Sequence, residues 1–196
     1  MLEKAKVAIL LQGNWRYLPR EFFEGFLEIA MHTMSKFKES DIGILYVKEA
    51  CIDVGRNLAV KQALAWGADY LLFVDLDQRL RDDTLEKFAR AMSEREELDL
   101  VSALIAYRAW PHHPNFVNVG EAGDLYLPEI AGRRGLLEVD LVGMGCVLIR
   151  RRVFTAVGPP WLVFIRGRDG ASIEMSEDIY LMFRACCSKA SSERKA

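Results

Sequence analysis

Apolar residues along this chain fall into two kinds of run. Short, nearly continuous runs have the bulk of strands buried on both faces: Lys6–Gln12, Ile42–Val47, Tyr70–Asp75 and Leu98–Leu104. Between them, apolar positions recur every three or four residues, which predicts helices. The first helix opens near Pro19, suited to an initial turn, and puts Phe22, Phe23, Phe26, Leu27, Ala30 and Met34 on one face. The second is capped by Asp53, turns Val54, Leu58 and Leu64 inward and stops at Gly67. The third opens on Asp83 with Glu86 at capping-box spacing, and Leu85, Phe88, Ala89 and Met92 follow as its inner face. Strand and helix alternate throughout this half, so the expected class is α/β with a mainly parallel sheet flanked by helices.

The rhythm then breaks. Between Trp110 and Gly135 stand Pro111, Pro114 and Pro128 with Gly120, Gly123, Gly132 and Gly135. No period dominates, and a long loop with short strands is expected; loops of that length in one domain are commonly functional. Strand character returns over Leu136–Ile149, interrupted by Gly143 and Gly145, and again over Trp161–Ile165. Ser176 caps a last helix running to about Cys187, and the polar stretch from Ser188 to Ala196 reads as a frayed tail. No repeat or linker divides the 196 residues, so one domain is expected, with a nucleotide-binding half over 1–104 and an acceptor and catalytic half over 105–188.

Composition narrows the classes. A hydrophobic content of 51% indicates a folded globule, and a formal net charge of −2 supplies no basic footprint for nucleic acid. No apolar run nears the roughly 20 residues of a membrane span, and the start lacks a signal-peptide pattern. Cys51, Cys146, Cys186 and Cys187 show no zinc spacing, which suits reduced thiols in a cytoplasmic protein.

The candidate chemistry sits at the ends of these elements. Asp75 and Asp77 close the third strand, at the carboxyl edge where open α/β sheets take their ligands. Residues two apart on a strand share a face, so the pair converges if extended geometry persists to Asp77. Two hard oxygen donors there suit Mg²⁺ or Mn²⁺ carrying a phosphate; the bland alternative is that both cap a turn. Arg56 and Asn57 fall in a helix's first turn, either holding phosphate or, for the arginine, pairing with Asp53 in solvent. Glu177 and Asp178 open the last helix. Acidic residues there are favoured by the helix dipole, and Asp178 is also a candidate general base. Gly143 and Gly145 mark a bulge or a close ligand approach. His112 and His113 read as surface residues, His32 as structural, and Arg150–Arg152 as a solvated turn.

Four segments in order carry a resemblance: Ile52–Asn57 (IDVGRN), Ala68–Asp77 (ADYLLFVDLD), Glu138–Arg151 (EVDLVGMGCVLIRR) and Glu177–Asp178. Together they resemble the nucleotide-sugar glycosyltransferases of the GT-A fold, especially family 2 and its mannosylglycerate synthase branch. The resemblance runs from about Lys6 to Cys187. It implies a single GT-A, Rossmann-like domain using Mn²⁺ or Mg²⁺ and a UDP- or GDP-linked sugar, with a glycan, lipid, protein or small molecule as acceptor. By residue, it implies that Asp77 binds the metal, Asp75 contacts ribose or metal, Arg56 holds the nucleotide, and Gln12 and Gly13 border the base. Gly143 and Gly145 would line the sugar pocket, and Asp178, beside Glu177, would serve as base where configuration inverts. Many relatives complete the metal site with a later histidine, whereas none follows His113 here; either water or another group would fill that position, or the enzyme would be weak or need a partner. Three rivals remain. A haloacid-dehalogenase-type phosphatase would want Gly-Thr where Gln78 and Arg79 stand. A nucleotidyltransferase would want a glycine-rich signature around Gln12–Arg20. A sugar-nucleotide-binding scaffold without turnover fits the short carboxyl end.

Overall fold

The computed structural model describes residues 4–13, 18–48, 51–107 and 110–193. Its first half alternates β1 (Lys6–Gln12), α1 (Arg20–Lys36), β2 (Asp41–Val47), α2 (Ile52–Trp66), β3 (Tyr70–Asp75), α3 (Thr84–Glu94) and β4 (Leu100–Ser102). The second half has short strands β5 (Phe116–Val119), β6 (Leu125–Tyr126) and β7 (Leu141–Val142), then β8 (Cys146–Arg150) and α4 (Arg151–Val157). It ends with β9 (Ile165–Arg166), β10 (Ile173–Met175) and α5 (Glu177–Glu193).

Five strands form the central sheet in the order β2-β1-β3-β8-β4. β1 pairs parallel with β2 and β3, while β8 runs antiparallel between β3 and β4, so the sheet is mainly parallel as the alternation predicts. Two small antiparallel sheets, β6-β5-β7 and β10-β9, occupy the irregular half.

The period-2 geometry of a strand sorts its side chains onto two faces. Ala8, Leu10, Leu71 and Phe73 enter the core under α2, α4 and α5. Val7, Ile9, Leu11, Tyr70, Leu72 and Val74 enter the core under α1 and α3. Burial on both faces is why these strands read as unbroken apolar runs. Asp75 continues the register of Leu71 and Phe73, which aims it toward α2.

Helix faces differ from the sequence expectation. In α1 the buried positions are Phe22, Gly25, Phe26, Ile29 and Thr33, while Phe23, Leu27 and Met34 are exposed. The helix carries two apolar stripes, and hydrophobicity alone does not choose between them. In α2 the sheet-facing residues are Gly55, Arg56, Ala59, Val60 and Ala63, whereas Val54 and Leu58 point outward and only Leu64 packs partly against the core. Small residues face the sheet because the helix lies close to it. Cys51 rather than Asp53 is the N-cap residue, and Gly67 ends the helix at φ 85° as expected.

At α3 the capping box does not form. Asp83 holds the cap position but pairs with Lys87 at 2.8 Å, and Glu86 accepts from His32 at 2.7 Å, tying α1 to α3. The fourth strand shrinks to three residues, the strand expected over Trp161–Ile165 moves to Ile165–Arg166, and α5 continues past Cys187 to Glu193. Residues 194–196 of the expected tail lie outside the described residues.

Arg150–Arg152 is no solvated turn. Arg150 closes β8 and donates to Leu98 O at 2.7 Å, Tyr70 Oη at 2.9 Å and Met92 O at 3.0 Å. Arg151 and Arg152 begin α4, a helix that the arginine run hides from a periodicity search because Val153, Phe154 and Val157 are its only buried positions.

The α1 assignment is testable by chemical denaturation. Phe22→Ala should lose about 3–5 kcal/mol of stability, and Phe23→Ala less than about 1. Equal losses would contradict the observed face.

Candidate active site

The carboxyl ends of β1 and β3 sit side by side, with Gln12 in register with Asp75. Across β3, the chain entering β8 closes the other flank: Asp75 N–H donates to Gly145 O at 2.9 Å. A Cβ on Gly145 would crowd Ile105 at 2.8 Å but stand at an ordinary 3.6 Å from Asp75 Oδ2, so it is the packing of Ile105 that the missing side chain allows. The strand ends at Asp75. Leu76 and Asp77 form a turn closed by Gln78 N–H to Asp75 O at 3.2 Å. The extended geometry that would have aligned the two aspartates therefore stops one residue early. Asp77 stands exposed on that turn, and its Oδ1 accepts from Gln78 Nε2 at 3.0 Å.

Arg56 is the centre of the site. Its side chain is only 6% exposed and bridges two carboxylates: Nη2 donates to Asp75 Oδ1 at 2.7 Å, and Nη1 donates to Glu177 Oε1. The solvated pair with Asp53 does not form, because Arg56 is buried against Asp75 and Glu177 instead. Glu177 is equally buried, and burial pushes its carboxyl above the ordinary range. The Arg56 guanidinium pulls the other way, and the charges of Asp178 and Asp75 add to the upward push. Sequence spacing had no means of pairing residues 56 and 177. A cation on a helix face otherwise made of Gly55, Ala59, Val60 and Ala63 is the one signal that a buried partner existed.

The neighbours hold this unit in place. Asn57, expected near phosphate, latches the 161–162 segment instead. Its Nδ2 donates to Asp53 O at 2.8 Å and Leu162 O at 2.6 Å, and its Oδ1 accepts from Trp161 N at 2.9 Å. Gly55 lies against Gln12, where a Cβ would come within 2.6 Å of that side chain. Gly13 has φ 145°, its carbonyl accepts from Tyr46 Oη, and a Cβ there would meet Leu76 at 2.6 Å, so the β1 exit packs on the Asp75–Asp77 turn. A hollow of about 10 Å³ lined by Gln12, Arg56 and Asp75 has room for one water.

α5 presents the second carboxylate. Tyr180 N–H donates to Ser176 O at 3.0 Å, which makes Ser176 the residue opening the helix. Its hydroxyl donates to Asp178 Oδ1, which also accepts from Ile179 N–H at 2.8 Å. The Oδ2 oxygen of Asp178 has no partner among the described residues. Gly143 N–H donates to Asn115 O at 2.7 Å, and a Cβ there would come within 2.9 Å of Asn115 Nδ2. His112 and His113 are exposed, with His112 Nδ1 2.9 Å from Tyr107 O.

The fold can now be compared with solved structures. The STIV protein A197 is 15% identical, with a TM-score of 0.59, over 91% of this chain and 78% of that one. TarS 1–349 of S. aureus is also 15% identical, with a TM-score of 0.52, over 92% of this chain and 55% of that one. The fold is GT-A-like. This chain therefore spans about half of TarS 1–349, a protein also solved in complex with UDP-GlcNAc (TM-score 0.49). No protein-family model matches this sequence. No curated protein matches it either.

Among the described residues no three His, Cys, Asp or Glu side chains are grouped to hold an ion. Asp75 and Asp77 are two carboxylates two residues apart, with Asp75 Oδ1 already taken by Arg56 and Asp77 on the exposed turn. That number fits Mg²⁺ or Mn²⁺, which take one or two carboxylates and fill the remaining positions with phosphate oxygens and water.

Two outcomes follow for the buried cluster. Arg56→Ala should lose about 3–5 kcal/mol in denaturant unfolding, because two carboxylates lose their shared cation. Glu177 holds its proton more tightly folded than unfolded. Its contribution is therefore full below the ordinary value of 4.5 and is lost as pH rises above it. The stability gap between wild type and Glu177→Gln should narrow from pH 4.5 to 7.5. A widening gap would show that attraction to Arg56 outweighs burial.

Proposed function

We propose that this chain transfers a sugar from a nucleoside-diphosphate donor to an acceptor hydroxyl, with a divalent cation at the Asp75–Asp77 turn. The observation carrying this reading is the Arg56 bridge that joins Asp75, at the end of β3, to Glu177, at the start of α5, with Asp77 on the turn two residues after Asp75 and Asp178 next to Glu177. Support also comes from the fold shared with TarS, whose own structure has been solved with UDP-GlcNAc.

Asp77, exposed on its turn, and Asp75 would hold Mn²⁺ or Mg²⁺, which when bound neutralises charge on the departing diphosphate. Arg56 acts as a positioning residue. By engaging Asp75 Oδ1 it fixes the direction of the other oxygen, and by engaging Glu177 it seats the start of α5 beside β3. Asp178 would take the proton of the acceptor hydroxyl on Oδ2, with Oδ1 oriented by Ser176 and Ile179 N–H. Gln12 and Gly13 would border the base, and Gly145 would leave room for the sugar next to Asp75. The acceptor belongs to the irregular half over 105–188, and residues 1–104 supply the nucleotide side. Among the described residues no helix is long and apolar enough to cross a membrane.

Calorimetry with UDP and GDP, with and without Mn²⁺, tests donor binding, and metal-dependent binding of one of them is expected. Sugar-nucleotide turnover should fall at least about 100-fold in Asp77→Ala, near 3 kcal/mol of transition-state stabilisation, with an unchanged melting temperature because Asp77 is exposed. An unaltered rate would refute the metal assignment. Tight binding without turnover would instead favour a sugar-nucleotide-binding domain.

A further inference from the structure

The arginine run that the proposed activity leaves unused lines the larger of two hollows. This hollow, about 410 Å³ and open to solvent, is bordered by Lys4, Ala5, Asp69, Tyr70, Arg150, Arg151 and Arg152. It lies at the opposite end of the sheet from Asp75. β3 begins at Tyr70 and ends at Asp75, five steps of about 3.3 Å or roughly 17 Å away.

Four cations and one carboxylate line this space. The carboxylate is already engaged, since Asp69 Oδ2 accepts from Lys6 N–H at 2.9 Å. Arg150 is fixed by the carbonyls of Leu98 and Met92 and stacks 5.4 Å from the Tyr70 ring centroid, so its position is set before any ligand arrives. Arg152 is held by Asp99 and by Glu96 O at 3.1 Å. Arg151 is exposed and makes no ion pair among the described residues, while its backbone N–H is anchored on Asp69 O at 2.8 Å. Lys4 meets only Glu39, at 3.9 Å, and both side chains are largely in solvent, where such a pair contributes little. The hollow therefore combines two guanidinium groups held by their neighbours, Arg150 and Arg152, with two solvent-exposed cations, Arg151 and Lys4. Guanidinium groups at a concave wall match the oxygens of phosphate, which they bind with paired hydrogen bonds.

We propose that this hollow is a second binding site, for a phosphate-bearing anion, separate from the donor edge. The same chemistry is presented by a free polyphosphate and by the headgroup of an anionic phospholipid.

The test uses the full chain at low and physiological salt. Calorimetry with inorganic pyrophosphate reads the soluble source. Co-sedimentation with phosphatidylglycerol vesicles, against phosphatidylcholine vesicles, reads the lipid source. Binding in either assay, weakened at least tenfold by Arg151→Glu and by Lys4→Glu, supports the site and identifies the source. Arg133→Glu, an equal charge change on an exposed loop residue, should leave that binding intact. Silence in both assays overturns the proposal, as does binding that Arg151→Glu leaves unchanged or that Arg133→Glu weakens equally. Calorimetry with UDP or GDP and Mn²⁺ on Arg151→Glu should match wild type, so failure here is distinguishable from failure of the donor site.

Discussion

One buried guanidinium holds the functional edge of this protein together. Arg56 sits between Asp75, on the middle strand, and Glu177, which opens a helix 121 positions beyond Arg56 itself. Removing Arg56 and Glu177 from water is expensive, and the mutual attraction of such a cluster seldom exceeds that cost by much. Its value is in placement. With the cation in the middle, the end of β3 and the first turn of α5 have one relative position, and Asp178 inherits its location from that of Glu177.

The close packing around the cluster follows from the same constraint. α2 faces the sheet with glycine and alanine on either side of Arg56, and Gly55 allows contact with Gln12 that any side chain would block. Gly145 does the equivalent on the other flank, allowing the packing of Ile105. The polar edge is thereby framed by backbone and small residues, with Asp77 set outside the frame on an exposed turn. A buried, prearranged half and an exposed, solvated half would suit the proposed charged ligand arriving with its own cation, with rigidity behind and open coordination in front.

Much of this was legible in the residues because burial on both faces leaves an unmistakable mark. β1 and β3 have the boundaries their apolar runs predict, and the carboxylates stand at the edge where β3 ends. Helix faces were less legible. α1 carries Phe22, Phe26 and Ile29 on one stripe and Phe23, Leu27 and Met31 on another, and only tertiary packing selects the first. The pairing of Arg56 with Glu177 is a long-range fact with no local spacing to announce it. The arginines at 150–152 misled for a related reason: a charged side chain anchored by backbone carbonyls has the same letters as one in solvent.

The most direct measurement of the central claim is a crystal structure with a nucleoside diphosphate and Mn²⁺, using anomalous scattering to locate the ion. The expected result is a manganese peak joining the Asp75–Asp77 turn to the diphosphate, with Arg56 still bridging Asp75 and Glu177. A manganese ion and diphosphate bound elsewhere, or an Arg56 drawn away from both carboxylates onto the nucleotide, would contradict it.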